Sequence, residues 1–123
     1  TSEQLFNAQS RLNRYRAYIA GFFARYDLLL TPTLAVPAFP VNAHPETVGG
    51  SPVAHRLWGF TPFTYPFNMG GNPAATAPAG FSDSGLPVGL HIVGAVGDEE
   101  TVLAASAAFE EARPWASRRP PSM

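Results

Sequence analysis

The stretch "FNMGGNPAATAPAGF", residues 67–81, decides how the rest of the chain is read. It is dense in glycine, alanine and proline and carries no charge, so it is a flexible linker, a phosphate-cradling loop or packed core. The phosphate loop fails on detail: neither G-x-G-x-x-G nor G-x-x-x-x-G-K-[ST] is present. A linker would be mostly polar, whereas Phe67, Met69 and Phe81 are large apolar groups. Small residues set between bulky ones predict closely packed backbones, with Asn68 bonding local backbone groups. The stretch reads as core.

Working outward, Thr61 and Pro62 have the form of an N-cap followed by proline at the first helical position. Pro66 keeps that helix short, and Gly70 or Gly71 can end it. "PAATAPAGF" then reads as a small-residue strand, "SDSG" as a turn, and "LPVGLHIVG" as a strand with β-branched Val88, Ile92 and Val93. Together they predict a hairpin-like pair. Asp98 to Ala112 opens with three acids suited to a helix amino end and places Val102, Leu103, Ala105, Ala108 and Phe109 roughly on one face. Residues 113–123 read as a tail.

On the amino-terminal side, residues 2–26 carry Leu5, Ala8, Leu12, Tyr15, Ile19 and Phe22 at spacings of three or four, an amphipathic helix. Thr1 and Gln4 have capping-box spacing. "YDLLLTPT" follows. Its run Leu28, Leu29, Leu30, stopped by Pro32, predicts a strand buried on both faces, as in parallel or mixed sheets. From Pro32 to Pro62 the chain is proline-rich and irregular, the kind of segment that shapes a cavity or is a plain surface excursion. The order of elements is that of an α/β layer architecture. With at most three or four strands, such a sheet needs further strands or a partner.

Composition excludes several chemistries. The chain has no cysteine, which removes thiol nucleophiles, disulfides and zinc–thiolate sites. All eight cations are arginines, so no lysine is present to act as Schiff base, general base or phosphate-loop cation. The net charge is −1 and the arginines are scattered, which speaks against nucleic acid as a direct partner. The polar amino end resembles no signal peptide, and no apolar run approaches the roughly 20 residues needed to span a bilayer, so a cytoplasmic location is expected. His44, His55 and His91 match no metal-ligand spacing, so no metal or other cofactor is expected. Ser51 and Ser84 lack a G-x-S-x-G elbow.

Four segments in this order, "YDLLLTPT", "FTYPFNMGGNPAATAPAGF", "GLPVGLHIVG" and "DEETVLAASAAFEEA", resemble the carboxy-terminal portion of amidase signature enzymes. The resemblance covers most of residues 12–112. It implies a mixed-sheet α/β fold and hydrolysis of carboxylic amides, or transfer of the ammonia released. In that family a serine–serine–lysine triad does the chemistry, with a glycine/serine-rich segment, and both lie upstream of the region matched. Neither exists in this sequence. The resemblance therefore implies that residues 1–123 are a carboxy-terminal fragment with no catalytic residue of its own, inactive alone. Thr1 stands where a methionine would begin a chain, as expected of a processed or truncated protein.

What this portion would contribute is pocket wall and sheet. Thr31, Pro32 and Thr33 are candidates because ligands bind at strand ends in α/β sheets. Thr61, Phe63 and Thr64, in the predicted helix Thr61 to Asn68, are further candidates. In the amidase-type component of the tRNA-dependent amidotransferases, a related branch, an acidic residue near the start of that helix helps to recognise the substrate. The matching position here is Thr61, which favours a hydrolytic amidase with a neutral pocket. A small amide is thus the expected ligand of the intact enzyme, and self-association or packing on a catalytic half is the expected assembly. The alternatives are a non-catalytic binding module derived from an amidase tail and a fragment of that amidotransferase component.

Overall fold

The structure, a computed structural model, describes residues 1–117. It opens with helix α1 (Ser2–Phe23), capped by the box formed between Thr1 and Gln4. Strand β1 (Leu28–Pro32) follows, then a long segment that contains only a two-stranded miniature, β2 (Thr47–Val48) and β3 (Ser51–Pro52). Between these strands Gly49 and Gly50 take φ values of 57° and 79°, the left-handed pair that a tight hairpin with right-handed strand twist demands. An irregular reading of residues 32–62 overlooks this glycine pair.

Helix α2 (Tyr65–Gly70), strand β4 (Ala74–Phe81), strand β5 (Pro87–Gly94) and helix α3 (Glu99–Ala112) complete the described elements. The tail expected at residues 113–123 lies mostly outside the described residues. β4 and β5 form the expected antiparallel hairpin, with an irregularity between Pro78 and Gly80. β1 pairs antiparallel with the other side of β5, giving the order β1-β5-β4. The fold is α/β, and helices pack on both faces of the sheet.

Register explains which residues are inside. Directly paired residues share a face, so Leu30, Ile92 and Ala75 lie on one side, and Thr31, His91 and Thr76 on the other. The first face is closed by α3: Ala77, Ile92 and Val102 form the buried cluster, with Leu28, Leu90, Ala105 and Phe109 packed around it. On the second face the Phe67 ring of α2 lies 5.9 Å from the His91 ring. Central β5 is therefore the element buried on both faces: His91, Ile92, Val93 and Gly94 are all buried.

Three local expectations change. β1 is not buried on both faces but is an edge strand with Leu30 56% exposed, because only β5 pairs with it. The short helix does not begin at Thr61–Pro62. There the backbone makes i→i−3 bonds, Thr61 N to Trp58 O and Thr64 N to Thr61 O, and α2 starts at Tyr65 with Pro66 in its first turn. Proline costs nothing at that point, since a first-turn N–H has no intrahelical acceptor. Within residues 67–81, Phe67, Gly70 and Ala77 are buried, but Met69 and Phe81 are exposed. The asparagine that ties this stretch to the sheet is Asn72, whose Nδ2 donates to Gly94 O at 2.8 Å, and not Asn68. α2 closes as expected, at Gly71 with φ 81°.

Candidate functional site

A cleft of about 710 Å³ opens where β1 ends. Pro32 and Thr33 form its edge, the segment Leu34 to Ala38 one wall, and Phe63, the Val48–Gly49 turn and the β4–β5 ladder the remainder. The ladder runs on past β1 proper, since Thr33 N–H donates to Gly89 O at 2.9 Å. Ala35 N–H donates to Phe60 O at 3.1 Å, which fixes the wall segment against the chain just before α2. The size lies within the range of small-molecule sites.

Gly89 sets how closely these parts approach. A Cβ placed there would lie 2.6 Å from Thr33 Oγ1 and 2.8 Å from Thr76 Cγ2, so no larger residue fits without displacing them. The bare α-carbon lets the two threonines meet: Thr33 Oγ1 donates to Thr76 Oγ1 at 3.3 Å. Among the described residues, these hydroxyls are the only polar side-chain groups along the cleft, and no ionisable residue lines it.

The six sequence candidates divide. Pro32, Thr33 and Phe63 line the cleft together. Thr31 faces the interior, where its hydroxyl donates to Pro32 O at 3.0 Å and lies 3.3 Å from His91 Nδ1. Thr61 and Thr64 are engaged in the turns before α2, their hydroxyls donating to Trp58 O at 3.0 Å and Thr61 O at 3.2 Å. Sequence reasoning missed Leu34, Thr76 and Gly89. Thr76 had a signal, as the one hydroxyl inside "PAATAPAGF", but its partnership with Thr33 across 43 positions follows only from the register.

The histidines do not converge on a metal. His91 is 5% exposed in the sheet, and burial pushes its pKa below the ordinary value. His44 packs among Phe39 and Phe60 in the long segment. Among the described residues no cluster of three histidine or carboxylate groups is placed to hold an ion. No helix among them is long and apolar enough to cross a membrane.

A family model described as Amidase matches residues 1–103. The chain belongs to the amidase signature family. Among curated amidase relatives, the chain is 43% identical over 100 residues to an acylamidase of Rhodococcus erythropolis, covering 80% of this chain and 21% of that protein. It is 46% identical over 112 residues to a subunit of the glutamyl-tRNA(Gln) amidotransferase of Granulibacter bethesdensis, covering 88% of this chain and 21% of that one. Among solved structures, a bacterial aryl acylamidase of the amidase signature family superposes with a TM-score of 0.83 at 36% identity, over 98% of this chain and 26% of that chain. A 6-aminohexanoate cyclic dimer hydrolase gives 0.84 at 30% identity, again over 98% of this chain and 26% of that one. The chain thus spans about a fifth to a quarter of the length of these amidase relatives.

Proposed function

We propose that this chain supplies one wall of the substrate pocket, and part of the sheet beneath it, to an enzyme that hydrolyses carboxylic amides to acid and amine or ammonia. The observation that carries the reading is the cleft at the end of β1, built by Pro32, Thr33 and Phe63 in a chain of this family that contains no lysine. Hydroxyl nucleophiles are weak, and a buried neutral lysine that relays the proton is one way to activate them. With no lysine present, the proton relay and the nucleophile come from outside these residues, and residues 1–123 contribute binding and orientation.

The similarity to the glutamyl-tRNA(Gln) amidotransferase favours one variant of this reading, in which released ammonia is transferred and not lost to water. Thr61 weighs against it. Its side chain is neutral and already donates to Trp58 O, so it offers no carboxylate to a charged substrate.

Complementation tests the proposal. The chain is co-expressed with the acylamidase of Rhodococcus erythropolis cut back to remove the matching region, and amide hydrolysis is followed on the purified mixture. Activity in the complex and in neither piece alone is the expected result. Hydrolysis by the chain by itself, or a stable complex without activity, overturns it.

A further inference from the structure

Among the described residues that line the cleft none carries charge, and this bears on what it holds. Leu34, Val36, Pro37, Phe63 and Val88 present apolar surface, and Leu34 and Val88 do so while 40% and 36% exposed. Its two hydroxyls face each other across 3.3 Å, and the Thr33 N–H is taken by Gly89 O. A ligand carrying an ammonium or a carboxylate against this wall would shed water and find no opposite charge among the described lining residues. An uncharged apolar group would replace poorly hydrated surface on both sides.

Resting on the amide reading above, we infer that the cleft is a selectivity subsite that accepts the uncharged, apolar substituent of the amide, an aromatic ring or branched alkyl group, and rejects amides bearing a zwitterionic amino-acid head such as glutamine. Leu34 and Pro37 are the wall that the substituent touches. Gly89 keeps the floor open between the two threonines.

The test uses the ¹⁵N-labelled 123-residue protein and three probes, with backbone amide shifts recorded during titration. Benzamide carries its ring on the acyl side, acetanilide carries it on the amine side, and glutamine is the charged competitor. At least one aromatic amide should shift the amides of Thr33, Leu34, Ala35 and Gly89, with an affinity at least about tenfold above that of glutamine. Which of the two binds more tightly tells whether the ring belongs to the acid or to the amine.

Leu34→Asp and Pro37→Asp each place a carboxylate on the wall, and each should weaken the aromatic probe by about tenfold or more. Leu103→Asp, on the exposed side of α3, should leave the titration unchanged. Amide dispersion confirms that each variant is folded; if neither wall variant folds, the probe ranking on the unaltered protein decides. Glutamine binding as well as the aromatics at these residues overturns the inference while leaving a pocket wall in place. Shifts that gather elsewhere, or none with any probe, overturn the inference, and the pocket-wall reading then stands or falls with complementation.

Discussion

Gly89 and His91 sit two positions apart on β5 and do different work through the same face of the strand. At Gly89 the constraint is steric. Gly89→Ala forces a methyl against Thr33 Oγ1 and Thr76 Cγ2, and the expected cost is about 1–3 kcal/mol, read as a lowered urea midpoint. At His91 the constraint is electrostatic. Its surroundings are the Phe67 ring and the Thr31 hydroxyl, neither of which carries charge, so the folded state holds the imidazole neutral. Burial sets the folded pKa below the ordinary value of about 6.5, so the unfolded chain takes up the proton first. Stability from this residue is therefore complete above about pH 6.5 and declines as pH falls below it, towards the folded pKa. Urea midpoints measured from pH 8 to pH 5 should fall more steeply for the natural protein than for His91→Gln, and parallel slopes would refute the assignment.

Elements are legible in the sequence where a pattern is local. Asp98 caps α3 in keeping with the run of acids: its Oδ1 accepts from Thr101 N at 3.3 Å and from Thr101 Oγ1 at 2.8 Å. Asp98→Ala should cost about 0.5–2 kcal/mol in the urea midpoint, whereas Glu99→Gln should change it by only a few tenths. The β4–β5 hairpin and the Gly71 end of α2 are likewise legible, since turn residues and left-handed glycines act within a few positions. The start of α2 is not. Thr61–Pro62 and Thr64–Tyr65–Pro66 both have the form of cap and first turn, and only the anchoring of residues 58–64 by their own turn bonds selects the second. β1 is recognisable as a strand, but its burial depends on how many neighbours it has.

At the scale of the molecule, the described residues leave much apolar surface uncovered. Leu5, Phe6 and Tyr18 of α1 are each more than 70% exposed, and no residue of that helix is fully buried. Both outer strands, β1 and β4, pair with β5 alone among the strands of the described residues, so each forms an outer edge of the sheet. Surface of this kind is covered in most folded proteins, by another part of the chain or by another molecule. The purified chain should therefore self-associate as concentration rises or bind the complementing amidase piece. Sedimentation velocity showing a monomer at all concentrations, alone and in the mixture, would refute this.

Family, the order of the longer elements and the absence of lysine could all be read along the chain, because composition, periodicity and turn chemistry act over a few residues at a time. Thr31, Thr33 and Thr76 could not be sorted in that way. Alternation alone cannot say that Thr31 turns in towards His91 while Thr33 and Thr76 meet over Gly89, since that follows from pairing β1 and β4 on either side of β5. The wall from Leu34 to Ala38 depends on the bond between Ala35 and Phe60, which joins segments far apart along the chain. Packing and register are long-range properties, so the cleft and its uncharged lining exist only once the strands have found their partners.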